Sequence, residues 1–497
     1  MPWRTAVAAL ALALLGTTAA SAQMPAIRDG QLVVDGKPFL ILGGELGNSS
    51  ASSRAWLAPA WPRLRAMHLN TVLAPVSWEL IEPAEGQYDF ASVDGLVEDA
   101  RSHGLRLGLL WFGAWKNSMS TYVPAWVKRD PRRFPHALAA DGTPQEILSA
   151  FAPATRDADA RAFAALMAHL RRIDGERHTV ILVQVENEIG FLPDAREHGP
   201  LADAAFARYR GDEEVFTAEA YARYTEAVAA AGKRAYPLPM YVNGAQGRPG
   251  RKPGEYPAGG PLVHLLAAWK RSAPSIDFLA PDIYFPNFGA IARSYALPGN
   301  PLFVPEANNA GDPHAAANAF LVFGGLKGIG FSPFSIDSID AAGAARLGAL
   351  YALLEGMTPE LLRAQAEGRV ASVAPPVASD GTADTQPQTV TLGGYAFTAG
   401  FVDPWTAAAA QTPAEHGGMV LWIGGDDYLV AGTGITVTVA PATGSGRAGL
   451  ERVEEGSFQD GRFVPLRRLN GDQTHQGRHV RLPPDGIGVQ RVRLYRY

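Results

Sequence analysis

The feature that most constrains this chain is an alternation, repeated eight times, of short apolar runs with longer segments of helical period. The runs are residues 39–43, 69–75, 105–112, 179–185, 240–243, 278–284, 302–305 and 328–332. Between them, residues 159–173 place Phe163, Leu166, Met167, Leu170 and Ile173 on one face at i, i+3, i+4 spacing. Residues 92–103 and 219–231 read the same way. Strands that alternate with helices pair in parallel through right-handed crossovers. Eight such units predict a closed (β/α)8 TIM barrel, an α/β fold, rather than an open doubly wound sheet. No GxGxxG follows the first run, which weighs against a dinucleotide fold.

A barrel needs about 250 residues, so a chain of 497 has room for a second domain. The helix after the eighth run is expected over residues 341–365, broken at Pro359. Residues 371–388 are rich in Pro, Ser, Gly, Asp and Thr and read as a linker. Beyond them, strand-like runs at 389–392, 395–401, 419–423, 428–430, 435–439, 479–482 and 489–495 predict a small antiparallel β-sandwich. At the other end, two apolar runs in residues 31–42 flank Asp35-Gly36, a hairpin signal. The expected division is 1–22, 23–368 (barrel) and 369–497 (sandwich).

Residues 1–22 have the form of a signal peptide: Arg4, an apolar stretch over 6–15, and Ala20-Ser21-Ala22. The mature chain is then expected from Gln23, periplasmic or secreted. No run is long enough to span a bilayer, so no membrane insertion is expected. There is no cysteine, which excludes disulfides, thiolate zinc sites and Cys nucleophiles. The eleven histidines show no ligand spacing, and no metal and no cofactor are expected. A net charge of -5 argues against a nucleic-acid partner. It suits a neutral carbohydrate. The oligomeric state is not legible.

In such a barrel, chemistry sits at the C-terminal ends of the strands. The fourth run ends Gln184-Val-Glu-Asn-Glu-Ile-Gly190 and the seventh ends Phe303-Val-Pro-Glu-Ala-Asn-Asn309. Strands four and seven face each other across the mouth, so Glu188 and Glu306 could flank a glycosidic bond. Cleavage with retention needs two carboxyl groups about 5–5.5 Å apart, one of them kept protonated by burial and a neighbouring charge.

The segment 184–190 resembles the acid/base motif of the glycoside hydrolase family 35 β-galactosidases. Residues 70–90, with Trp78, Glu82-Pro83, Gly86-Gln87 and Tyr88-Asp-Phe90, are similar to that family's second-strand segment. Tyr122-Val-Pro-Ala-Trp-Val127 resembles the segment after its third strand, and Asp35-Gly-Lys-Pro-Phe39 its opening hairpin. The resemblance covers residues 30–350 or so; residues beyond it resemble, more weakly, the β-domain of a bacterial branch. It implies that Glu188 is the general acid/base, Asn187 a ligand for the sugar 2-OH, and Glu306 the nucleophile of a retaining exo-β-galactosidase. Tyr284 either hydrogen-bonds the nucleophile or packs as a rim aromatic.

Two places depart from the family pattern. The carboxylate that holds galactose after strand three is replaced by Trp111-Phe-Gly-Ala-Trp-Lys-Asn117, leaving Trp115, Lys116 or Asn117 for that contact. Glu45 stands where a His-Tyr pair is usual, free to bond sugar hydroxyls or to form a salt bridge. Trp78, Trp111 and Trp115 are candidates for stacking on a sugar, against simple packing. Trp405 and Trp422 mark either a carbohydrate-binding face or the core of the small domain. Two other functions stay open: another retaining β-glycosidase (glucosidase, mannosidase or arabinosidase), and a barrel that binds carbohydrate without cutting it.

Overall fold

A computed structural model describes residues 23–497; the signal-peptide reading lies outside them. Eight parallel strands form one sheet: β1 (Ile41–Glu45), β2 (Thr71–Ser77), β3 (Arg106–Lys116), β4 (Val180–Asn187), β5 (Met240–Ala245), β6 (Phe278–Asp282), β7 (Phe303–Val304) and β8 (Gly330–Phe331). They run in the spatial order 6-5-4-3-2-1-8-7. The ring closes where Ile283 pairs with Ala307 in parallel. There Ile283 N donates to Glu306 O at 2.8 Å and Asn308 N donates to Ile283 O at 3.0 Å. The closing seam of the barrel therefore lies at its rim, beside Glu306.

Period two divides the strand side chains between two cores. On β3, Leu110 and Phe112 point into the barrel, while Leu107, Leu109 and Trp111 pack outward against helices. The interior also holds Ile41, Tyr241, Phe278 and Phe303. Leu32 and Val34 plug it from the N-terminal hairpin. That hairpin pairs Gln31–Val34 with Lys37–Phe39, and a third short strand, Ala26–Arg28, flanks it. Asp35 and Gly36 both have positive φ, as a tight primed turn requires.

The outer layer includes α1 (Pro153–Asp174) and α2 (Glu213–Ala235). Phe163, Leu166, Met167 and Leu170 of α1 are fully buried, the face read from the sequence. Asp212 caps α2 through the amides of Glu214 and Val215. The last helix, α3 (Ala341–Glu367), runs unbroken through Pro359, contrary to the expected break. Thr358 Oγ donates to Leu354 O at 2.7 Å one position before the proline.

Two antiparallel sheets follow. One contains β9 (Val370–Val373), β12 (Gly417–Gly424), β13 (Asp427–Thr433), β18 (Gly488–Arg496), β15 (Ala448–Gln459) and β16 (Arg462–Leu469), in that spatial order. The other contains β10 (Gln388–Leu392), β11 (Tyr395–Gly400), β14 (Ile435–Pro441) and β17 (Val480–Leu482). Phe397, Val420, Tyr428, Val437 and Val492 form the core between them. Met419, Leu421, Leu429 and Val489 join the barrel's outer core instead, so the larger sheet packs against the barrel. β9 overlaps the start of the stretch read as linker, sharing residues 371–373 with it. β15 and β16 escaped the sequence reading because they form a largely polar ribbon in which Glu455 faces Arg467 and Glu454 faces Arg468.

Candidate active site

Three rim segments converge at the barrel mouth. Asn187 ends β4 and Glu188 follows it with φ +44, a left-handed conformation uncommon for a residue with a Cβ. Glu186, within β4, is also left-handed at φ +60. This double twist sends the carboxyls of Glu186 and Glu188 to different places. Glu186 goes outward to Asp159 of α1, where Trp111 Nε1 and Tyr224 Oη each donate to Asp159 at 2.8 Å. Glu188 goes to the mouth. Its amide donates to Asn243 Oδ1 at 3.0 Å, and its carbonyl accepts from Ser118 Oγ at 2.7 Å.

At the mouth, Glu188, Asp282 and Glu306 bring carboxyl oxygens within 4.8 Å of one another. The Glu306 carboxylate accepts from Tyr284 Oη at 2.6 Å, and from Asn187 Nδ2 and Asn243 Nδ2 at 3.4 Å each. Asn243 Nδ2 also donates to Asp282 Oδ2 at 2.6 Å. All three carboxyls are buried. Their spacing also suits the sharing of a cation. A resident one stands beside them: Lys116 Nζ donates to Asn187 Oδ1 at 2.7 Å.

Burial and mutual repulsion govern protonation here. The Glu188 carboxyl is pushed up to about 7, first by burial and then by the charge of Glu306, against the pull of Lys116. Asp282 is driven well above the carboxylate range by burial and by Glu306, Glu188 and Glu45. Glu45 is driven up by burial and by Glu306. Burial lowers the Lys116 ammonium, but the four acidic groups outweigh it and the net shift is upward. Burial and Glu306 together raise the Tyr284 phenol.

Glu45, at the end of β1, is fully buried with its carboxyl against that of Glu306, and neither of its oxygens has a hydrogen-bond donor among the described residues. It makes no salt bridge there, so the salt-bridge alternative falls. Tyr284 is 38% exposed and holds Glu306, so it is not a packed rim aromatic. The expected tryptophan platforms are corrected. Trp78 is buried with its Nε1 on Glu82 Oε2 at 2.7 Å, Trp111 packs on Phe163, and Trp115 lies between Tyr221 and Tyr224. None of the three presents a ring to the mouth. Asn117 also stays apart: its amide nitrogen on the backbone donates to Asn187 O at 3.2 Å, and its side chain meets Ser120. In the small domain, Trp422 is half-buried with Nε1 on Gly425 O. Trp405 is 51% exposed beside His475, His479 and Arg481.

Asn243 and Asp282 were not singled out from the sequence. Asp282 ends β6 just as Asn187 ends β4, and Asn243 lies two residues before the end of β5, so the same rim rule applied to every strand finds them.

A family model described as Beta-galactosidase (glycoside hydrolase family 42) matches residues 53–223. One described as Domain of unknown function (DUF5597) matches residues 347–481. The chain is 33% identical over 215 residues to a Beta-galactosidase of Xanthomonas manihotis, a stretch covering 40% of this chain and 31% of that protein. The chain thus spans about a third of that relative's length. Among solved structures, a cold-adapted β-galactosidase from Rahnella sp. R3 superposes with TM-score 0.47 at 15% identity, over 64% of this chain and 56% of that one. The catalytic domain of a β-amylase from Paenibacillus polymyxa gives TM-score 0.47 at 11% identity, over 61% and 94%. Residues 53–223 thus resemble β-galactosidases by their sequence, but the matching family is 42, and the specific resemblance to family 35 finds no support among these matches.

Proposed function

We propose that this protein is a retaining β-glycosidase of the β-galactosidase type, with Glu188 as acid/base and Glu306 as nucleophile. One observation carries the reading. Two carboxyls from distant rim segments meet across the barrel mouth, one raised to about 7 and the other bound by a phenol and two amides. Oxygens within 4.8 Å of one another suit the short separation of a double displacement better than the wider gap of inversion.

In the first step Glu306 forms a bond to the anomeric carbon as the glycosidic C–O bond breaks. The proton of Glu188 passes to the leaving oxygen. In the second, a water gives its proton to Glu188 and attacks the same carbon, and Glu306 leaves. Asn187 and the unpaired oxygens of Glu45 and Asp282 are placed to bond sugar hydroxyls. Terminal β-D-galactosyl residues are the first substrate to test.

A panel of nitrophenyl glycosides tests the reading. Turnover of a β-glycoside, a loss of several orders of magnitude in Glu306→Gln, and a β-azide product from Glu188→Ala in azide are the expected results. An inverted product, or turnover indifferent to both substitutions, overturns it. Binding without turnover turns the protein into a carbohydrate-binding barrel.

A further inference from the structure

Lys116 has no counterpart in the carboxylate pattern expected after strand three, and the local chain takes an unusual path to deliver it. In the β3–β4 ladder Trp111 stands opposite Val185 and Lys116 opposite Asn187. Four residues, Phe112 to Trp115, therefore oppose the single Glu186. Such bulges re-aim a side chain at the rim of a barrel. A tight turn then closes on Lys116, with Ser120 N donating to Lys116 O and Lys116 N to Ser120 O at 3.1 and 2.9 Å. Asn117 and Ser118 in that turn are left-handed and brace the backbone of Asn187 and Glu188.

The result is a buried ammonium with one anchor. Nζ donates to Asn187 Oδ1 and lies 5.3 Å from the centroid of the Phe112 ring. An ammonium can only donate, so it fixes which end of the Asn187 amide faces it. The amide nitrogen is left pointing at Glu306 Oε1. Were the amide reversed, its oxygen would face the carboxylate. The groups around the ammonium are Glu45 from β1, Glu188 beyond β4, Asp282 from β6 and Glu306 beyond β7, with the Tyr122 phenol on the segment after β3. Lys116 is the cation that pulls down the carboxyls of Glu45, Glu188 and Asp282.

We propose that Lys116 is the positioning residue of this site: it sets a positive charge among the carboxyls of the mouth, and it orients Asn187 to donate to Glu306. The inference rests on the double-displacement reading, and it adds a role for the third strand that is distinct from gripping the sugar.

The test is the pH dependence of kcat/KM for a nitrophenyl β-glycoside that the wild type turns over. Lys116→Met should lower kcat about 100-fold or more with little change in KM, and both limbs of the pH profile should move to higher pH by about one unit or more, because an opposite charge within reach favours the ionised carboxylates. Lys116→Arg keeps the charge and should keep the limbs in place. Asn187→Ala should lower kcat with the alkaline limb, that of Glu188, unmoved, and its loss should not multiply fully with that of Lys116→Met. Limbs unmoved in a folded Lys116→Met, or a loss confined to KM, overturn the proposal. Should Lys116→Met fail to fold, limbs that move in Lys116→Arg overturn it, and limbs that stay, together with the Asn187→Ala result, uphold it. A wild type inactive on every glycoside overturns the reading beneath it; an active wild type with unmoved limbs overturns this inference alone.

Discussion

The Tyr284 hydroxyl donates to Glu306 Oε2 at 2.6 Å, and the two residues are tied through the seam that closes the barrel. Ile283, next to the tyrosine, pairs with Ala307, next to the glutamate. The backbone bond from Ile283 N to Glu306 O thus sets the distance between phenol and carboxylate before either side chain is considered. A hydrogen bond to a charged group contributes roughly 1.5–3 kcal/mol. Tyr284→Phe should therefore lower kcat by about 10- to 150-fold. Because Tyr284 is partly exposed, the melting temperature should barely move. Steady-state kinetics with calorimetry checks both. An unchanged kcat would remove Tyr284 from the site's working parts.

The acid/base role carries a pH signature. Glu188 must be protonated to serve the leaving oxygen, and burial with the Glu306 charge places its titration at about 7. Below that pH the acid form is present; above it the form is lost tenfold per unit. The alkaline limb of kcat/KM for substrates with poor leaving groups should fall near pH 7. Dinitrophenyl glycosides, whose leaving group needs no proton, should show a weaker limb in kcat. A limb that persists unchanged in Glu188→Gln would belong to another group.

The eight-strand alternation was legible because each run is buried on both faces and so reads as unbroken apolar sequence. β15 and β16 were not, since exposed charged pairs line them and little apolar pattern remains. At the site, Glu188 and Glu306 followed from one rule, that rim residues after barrel strands do chemistry. The tryptophans did not. Trp111 and Trp115 share the outward-facing parity of Leu107 and Leu109 on β3, and Trp115 meets Tyr221 and Tyr224 there, a placement visible only once the strand's inward set is known. The bulge before Lys116 has no signature in composition, and neither do the left-handed Glu186 and Glu188. Asp282 and Asn243 obey the same rim rule on the sixth and fifth strands, but the contacts that tie them to each other, to Glu306 and to Glu188 exist only once the ring is closed.

Glu197 bears on stability rather than catalysis. It is buried, accepts from Ser149 Oγ and has no partner for its other oxygen among the described residues. Burial raises its carboxyl to about 8 from an ordinary 4.5. The folded state therefore holds a proton that the unfolded chain has released between those values. Its stabilising contribution is complete below about pH 4.5, declines as pH rises, and is gone above about 8. Glu45 and Asp282 act in the same direction. Wild type should melt lower at pH 8 than at pH 5, and Glu197→Gln should lose fewer degrees over that range. Equal losses in scanning calorimetry would show that Glu197 ionises freely in the fold.

Gly113 is where the bulge is most exposed to a single change. A Cβ built there would lie 2.6 Å from Trp111 Nε1, 2.7 Å from Glu186 Oε1 and 2.9 Å from Asp159 Oδ1. None of these atoms is the free end of a mobile side chain, since Trp111 and Asp159 are bonded to each other and Glu186 accepts from Trp115 N at 2.9 Å. Gly113→Ala must therefore spread the bulge or break the buried Asp159–Glu186 contact, at a cost of about 1–3 kcal/mol for overpacking. Either response shifts Lys116 and Asn187, which lie at the two ends of the same ladder step. The expected outcome is a lower melting temperature together with a loss in kcat larger than the stability change alone would give, measured well below the melting transition. A destabilised Gly113→Ala with wild-type kcat would mean that the bulge holds the fold but not the site.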